Sequence, residues 1–416
     1  MVPLSEIFAA FARVGVLSFG GPAAQIGLMH RTLVDEKRWL SEDEYLRALS
    51  FCMLLPGPEA MQLATYAGWK LRGIPGGLIA GGLFVLPGAL VIAVLATLYA
   101  RFGQQPDTTA LLLGIKAAVI AIVVQALMRL AGKALTGPEA YALAGLSFLA
   151  IFAFAAPFPA IVAAAAAWGA WRADPTPPAT VPETGRTTPP RVLALWAGLW
   201  LAPLPVLWAL DQTLLFDLAV FFAKLAVVTF GGAYAVLAYM AQEVVQVHGW
   251  LETTEMVDAL GLAETTPGPL ILVTQFVGHL AGFSASGLGL GLMAGALTLW
   301  MTFVPCFLWI FAGAPHVERL LARPRLSAAL RAITAAVVGV ILNLSVWFAA
   351  HVFFARTAAV DAGPLSLTLP VPGTLVWQAV ALLAVAAGML FAARRSVLET
   401  IALCALCGWA LGQLAG

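Results

Sequence analysis

Long apolar runs decide what this chain can fold into. Residues 76–99, 110–130, 287–312, 327–354, 375–393 and 397–414 each approach or exceed the roughly 20 residues that carry an α-helix across a bilayer. None alternates between apolar and polar as a barrel strand does. In hydrocarbon the backbone must bond within a helix or a closed barrel, so a polytopic, all-α membrane protein is expected. With 61% apolar and 10% charged residues, the composition agrees. A formal net charge of +1 argues against a nucleic-acid or polyanion binder. No cleavable leader is expected, because the first residues lack a basic cluster and Arg13 interrupts the first apolar stretch. Cys52, Cys306, Cys404 and Cys407 form neither a disulfide framework nor a metal site. Cys404-x-x-Cys407 lies in an apolar helix without the strand and turn of a redox motif, so the four read as small core residues.

Within this frame one break occurs twice. Pro56-Gly57-Pro58 returns as Pro267-Gly268-Pro269, 211 positions later. Proline has no amide hydrogen and clashes with the preceding turn, so each motif ends one helix and starts another. The new helix begins with unpaired N–H groups and the positive end of its dipole, a seat for an anion. At membrane depth such an end is tolerated only against protein or a water-filled cavity. Ser41-Glu42-Asp43-Glu44 reads as a capping box opening the helix that leads to Pro56. The pieces on either side of Pro56-Gly57-Pro58 are too short to span, which predicts a re-entrant or broken helical hairpin.

The repeat extends beyond the tips. At the offset of 211, Phe19-Gly20-Gly21 matches Phe230-Gly231-Gly232, Trp39-Leu40 matches Trp250-Leu251, and Ala48-Leu49 matches Ala259-Leu260. Arg13 falls on Lys224, Ser18 on Thr229 and Glu44 on Glu255. After a seven-residue insertion between Gly282 and Gly295 the register resumes at 218, pairing Pro87 with Pro305, Ile115 with Ile333 and Gln125 with Asn343. Three segments follow: a first repeat over 1–171, a Pro/Thr-rich extended linker over 172–191, and a second repeat over 192–416. The loop at 30–47 carries Arg31, Lys37, Arg38 and Arg47, whereas 240–258 has no Lys or Arg and carries Glu243, Glu252, Glu255 and Asp258. Basic residues stay on the cytoplasmic side, so the two loops are expected on opposite faces and the repeats in inverted topology. Six apolar candidates lie between those loops, an even number, so one must fail to span; 157–171 and 192–210 are the two alternatives.

The candidate substrate residues gather around this frame. Arg13 and Lys224 are the leading charge partners for an anion, with a cation snorkelling near a helix end as the alternative reading. Glu59 sits where the helix dipole stabilises a carboxylate, and either that local effect or a coupling role explains it. Leu270 replaces it in the second half, where Glu264 supplies a carboxylate. Gln62, Thr265, Thr266, Thr274 and Gln275 offer polar groups to a ligand or to neighbouring helices. Lys116 could line a pathway, and Arg129 reads as interfacial beside Lys133. No HExxH, no Ser/His/Asp set and no paired membrane aspartates suggest an enzyme.

Ser18-Phe-Gly-Gly-Pro-Ala-Ala-Gln25, Lys37-Arg-Trp-Leu-Ser-Glu42 and the run from Cys52 to Trp69 closely resemble the chromate ion transporter family in its long, two-domain form. The resemblance covers nearly the whole chain. It implies export of chromate from the cytoplasm and chromate resistance, a multi-pass location in the bacterial inner membrane and no cofactor, with sulfate or another tetrahedral oxyanion as the alternative substrate. A homodimer is allowed; nucleic acid is not an expected partner. The family's motif positions correspond to Phe19, Gly20, Gly21, Pro22, Gln25, Trp39, Pro56, Gly57, Pro58, Glu59 and Gln62, and in the second half to Phe230, Gly231, Gly232, Trp250, Pro267, Gly268 and Pro269. Ala233 stands where Pro22 has its counterpart, so a role for Pro22 is not carried over.

Overall fold

The computed structural model describes residues 2–173, 188–230, 233–362 and 365–415. Helices dominate them: α1 (Leu4–Leu17), α2 (Gly21–His30), α3 (Glu42–Cys52), α4 (Glu59–Phe102), α5 (Pro106–Ala134), α6 (Pro138–Phe154), α7 (Phe158–Arg172), α8 (Pro190–Leu201), α9 (Pro203–Ala209), α10 (Thr213–Val228), α11 (Ala233–Gln242), α12 (Thr253–Glu264), α13 (Val273–Gly313), α14 (Val317–Leu321), α15 (Pro324–Phe353), α16 (Trp377–Ala387) and α17 (Val397–Ala415). Among the described residues six stretches are long and apolar enough to cross a membrane: Glu59–Phe102, Pro106–Ala134, Pro190–Ala209, Leu270–Leu321, Pro324–Phe353 and Val397–Leu414. Of the two segments weighed as non-spanning, the one at Pro190–Ala209 has the length, whereas α7 has 15 residues, about 22 Å of helix. The expected span at 375–393 is shorter than its apolar run, a helix to Ala387 continued by a π-type turn to Ala392.

Neither α4 nor α13 is a straight rod. α4 reverses at Arg72 and Gly73, whose φ is +63°, and α13 reverses at Ser286 and Gly287, with φ +73°. A Cβ on Gly68 would strike the Gly76 carbonyl, and one on Gly81 would strike Thr65, so the two arms of α4 lie against each other through small residues. Gly282 against Leu290 and Gly278 against Thr298 repeat this in α13. The arm after each tip is therefore short and folds back on the rest of its helix.

Other local devices recur at the same offset. Ser41 caps α3, with its hydroxyl accepting from the Glu44 amide and the Glu44 carboxylate accepting from the Ser41 amide; Glu252 and Glu255 do the same for α12. A π-type turn follows α2 at Arg31–Glu36 and α11 at Glu243–Val247. Left-handed backbone follows at Arg38 and at Gly249, 211 positions apart.

The chain forms two compact units, each assembled from three separate stretches: Met1–Thr97, Ala170–Val236 and Thr266–Leu330 in the first, Leu98–Gly169, Leu237–Thr265 and Arg331–Gly416 in the second. In the first unit α8 and α10 pack along α13, and Trp196 stacks on Phe307. In the second, α5 packs along α17 so closely that a Cβ on Gly114 would strike the Cys404 carbonyl. A β-hairpin, β1 (Thr357–Ala362) with β2 (Leu365–Pro370), pairs antiparallel there and rests β2 on α6. The alternation of Leu365, Leu367 and Leu369 with Ser366 and Thr368 is its sequence signal.

Candidate functional site at the two proline-glycine-proline tips

Each first helix of a repeat stops in the same way. Ser18 at the end of α1 has φ −76° and ψ 61°, and Thr229 at the end of α10 has φ −74° and ψ 80°. The amide of Phe19 donates to the Leu17 carbonyl and that of Phe230 to the Val228 carbonyl, so both ends are inverse γ-turns. The Ser18 and Thr229 hydroxyls are fully buried and each donates to the carbonyl four residues earlier, Val14 and Leu225, at 2.5 Å. The turn leaves the Ser18 and Thr229 carbonyls aimed away from their own helices.

The tips supply the partners. In a Pro-Gly-Pro break only the glycine carries an amide hydrogen. The Gly57 amide donates to the Thr229 carbonyl at 2.8 Å, and the Gly268 amide donates to the Ser18 carbonyl at 2.9 Å. The tip of each repeat is thus bonded to the first helix of the other, a reciprocal clasp within the first unit. Gly57 has φ +118° and Gly268 φ +88°, backbone that side-chain-bearing residues rarely adopt. A Cβ on Gly57 would lie 2.8 Å from Gln62 Nε2 and 3.0 Å from Cys306 Sγ.

Glutamines brace the clasp. Gln62 Nε2 donates to the Pro56 carbonyl at 2.6 Å, Gln25 Nε2 to the Gly268 carbonyl at 2.6 Å and to Ser18 at 3.3 Å, and Gln275 Nε2 to the Ala89 carbonyl at 3.0 Å. A nitrogen, not an oxygen, must face each of those carbonyls, which fixes the amide orientation. The Oε1 atoms of all three are buried without a protein donor. What these side chains leave unpartnered are acceptor oxygens.

Past each tip the helices restart differently. The Gln62 amide returns to the Pro58 carbonyl as an α-turn, leaving the amides of Glu59, Ala60 and Met61 as first-turn donors. After Pro269, Leu270–Leu272 forms a 3₁₀ turn with the Leu272 amide on the Pro269 carbonyl. The second tip is the more enclosed: Thr266, Pro267, Gly268, Pro269 and Leu270 are all buried, while Pro56 and Glu59 are half-buried. Thr265 turns its hydroxyl onto the Leu262 carbonyl. Gly20 and Gly21 open α2 with φ +86° and +76°. Gly231 and Gly232 lie outside the described residues.

The two cations stand elsewhere. Arg13 is on the exposed face of α1, its guanidinium 3.5 Å from the Glu36 carboxylate, and Lys224 is exposed on α10. Neither belongs to the buried set around the tips. Arg129 is exposed near the end of α5. Asp258 corrects the reading of 240–258 as an acidic loop: it is buried on α12, 2.9 Å from the Lys116 ammonium, and accepts from the Tyr99 hydroxyl at 2.9 Å. Spacing alone had left these three residues, each on a different helix, unconnected.

Helices dominate the described residues, and six stretches have the length and apolarity of membrane spans, which makes this an α-helical, multi-pass membrane protein. The chain belongs to the chromate transporter family, whose model matches residues 5–170 and 216–409. It is similar to the chromate transport protein of Cupriavidus metallidurans, 31% identical with 81% of this chain and 80% of that protein covered, and to that of Pseudomonas aeruginosa, 32% identical with 81% and 79% covered. A probable chromate transport protein of Synechococcus elongatus is 29% identical over 81% of this chain and 82% of its own length. No solved structure matches the chain.

Proposed function

We propose that this protein exports chromate from the cytoplasm across the bacterial inner membrane and so confers chromate resistance, with two repeats of inverted topology forming the transport frame. The reciprocal clasp is the observation that carries this reading: each Pro-Gly-Pro tip spends its single donor on the opposite repeat, which leaves the first turns beyond the tips, at Glu59–Met61 and Leu270–Ile271, to meet the anion. The matched family regions fall on both halves, in keeping with two copies of one unit. Four basic residues in 30–47 against none in 240–258 support opposite orientations.

On this reading Pro56, Gly57, Pro58, Pro267, Gly268 and Pro269 shape the seat, Gln25, Gln62 and Gln275 hold it rigid, and Thr265 and Thr266 flank it. Gly20 and Gly21 let α2 start beside the clasp. Arg13 and Lys224, being exposed, act as approach charges that raise the local anion concentration. A potential negative inside assists outward movement of a dianion by roughly 4.6 kcal/mol per 100 mV, twice the ~2.3 kcal/mol per elementary charge. Weak, shared donors suit a carrier that must also release.

The test is chromate accumulation in everted membrane vesicles, with sulfate as competitor. Chromate uptake dependent on the protein, and lost in Gly57→Val and Gly268→Val variants that still insert, supports the reading. Sulfate uptake with no chromate uptake would move the substrate to the other tetrahedral dianion on the same frame.

A further inference from the structure

The second unit holds a charged cluster that the clasp does not use. Lys116 lies ten residues into α5, a membrane-span candidate, and its ammonium sits 2.9 Å from the Asp258 carboxylate of α12, whose other oxygen accepts from the Tyr99 hydroxyl at 2.9 Å. The Lys116 and Asp258 side chains are only 14% and 9% exposed. Burying such a pair gains little over packing apolar residues in the same place, so an ion pair at membrane depth marks a functional group more often than a structural one.

The repeat sharpens this. In the registers of 211 and 218, Asp258 falls on Arg47, Lys116 on Thr334 and Tyr99 on Val317. Arg47 is exposed and pairs within its own helix, with Asp43. Tyr99 and Lys116 belong to the first repeat and Asp258 to the second, and the exchanged set, Val317 and Thr334 with Arg47, has neither the carboxylate nor the ammonium of the pair. Its position is also particular, because Asp258 lies on the helix that runs into the second tip, nine residues before Pro267.

We propose that Asp258 is the site of a transported proton, held by Lys116 and Tyr99, whose binding and release is linked to oxyanion movement; the link to transport rests on the function proposed above. With the carboxylate ionised, the pair is neutral and α12 is tied to α5. A proton from water binds one Asp258 oxygen to give the neutral acid while Lys116 remains an ammonium, so the cluster gains one positive charge and the tie weakens. Release of that proton to water restores the pair. Around Tyr99, Glu255 and Glu252 add further negative charge from α12 and its cap. From the helices packed on α5, α17 lays the Cys404 carbonyl against Gly114 and carries Cys404, Cys407 and Glu399, and α16 carries no titratable side chain. Among these, Asp258 alone pairs with a buried cation.

Two measurements test this on the full chain. The first is infrared titration of purified protein in detergent, which needs no transport: a protonated-carboxyl band that rises with acidification is expected in the wild type, is lost in Asp258→Asn, and shifts in pH in Tyr99→Phe. The second is chromate flux in proteoliposomes at zero membrane potential with and without an imposed pH gradient. A severalfold gradient effect is expected in the wild type, and none in Asp258→Asn or in Lys116→Met/Asp258→Asn, where the paired neutral replacement guards against misfolding. An unchanged carboxyl band in Asp258→Asn, or a wild-type gradient response in the double variant, overturns the proposal. Absence of any oxyanion flux in the wild type would sink the transport function instead, with the infrared result still deciding the proton site.

Discussion

Gly57 and Gly268 each combine a positive φ with an amide committed to the other repeat. Backbone in that region costs a residue with a side chain about 1–3 kcal/mol. At Gly57 the added bulk also meets Gln62 and Cys306, whereas at Gly268 it meets first the mobile end of Leu272, at 3.1 Å. Gly57→Ala should therefore lower thermal stability in detergent more than Gly268→Ala, and both valine variants should lose most chromate flux. Equal melting temperatures for the wild type and Gly57→Ala would show that the tip tolerates a side chain. Glu59 is the carboxylate of one tip, and Leu270 stands in its place at the other. Glu59→Gln is expected to change the pH profile of efflux and Leu270→Gln to leave it alone; coincident profiles for wild type and Glu59→Gln would remove Glu59 from any coupling role. Arg13→Gln breaks only an exposed pair, so its stability should change by less than about 1 kcal/mol. A rise in the chromate concentration needed for half-maximal flux, weakened further by salt in the wild type than in the variant, would mark Arg13 as an approach charge.

At the level of elements, the short arm after the first tip is anchored by one cross-link that the second repeat lacks. Lys70 near the end of that arm lies 2.9 Å from Glu44 at the start of α3, and the register of the repeat places Ala281 opposite Lys70. The Lys70 side chain, followed by the Ser41 amide, holds the Glu44 carboxyl down from 4.5 to about 2. A depressed carboxyl stabilises the fold above its unfolded value and loses that contribution as pH falls through the folded one. Melting temperature should accordingly drop between about pH 4.5 and pH 2, and Lys70→Met should flatten that part of the curve; parallel curves for the two proteins would deny the pair a role. The helix-breaking signals at this scale were readable from composition alone. Pro56 and Pro267 each follow the end of a helix and Pro58 and Pro269 each precede the next turn, because two prolines around a glycine remove two neighbouring amides, whereas single prolines at 75, 87 and 305 are carried inside α4 and α13. The reversals at Gly73 and Gly287 were visible only as the short length before them, since glycine permits a left-handed turn without requiring one. The alternation that marks the β-hairpin is brief and sits between longer apolar runs, which mask it in the sequence.

For the whole molecule, inverted topology makes the sharpest claim. In a background without Cys52, Cys306, Cys404 and Cys407, single cysteines near Lys37 and near His248 should react with an impermeant reagent from opposite sides of the membrane. Reaction from one side only would end the inverted-repeat reading while leaving the clasp intact. The sequence by itself determined the solvent, the helical class and the two break points, all of which follow from the chemistry of single residues and their neighbours in the chain. Only the tertiary structure decided that Gly57 bonds Thr229 and Gly268 bonds Ser18, that the Gln62 and Gln25 amides donate to the tips, that Arg13 faces outward and that Asp258 is buried against Lys116. Those outcomes join residues up to 250 positions apart, and whether a polar side chain meets water, lipid or a backbone carbonyl is settled by what the fold brings beside it.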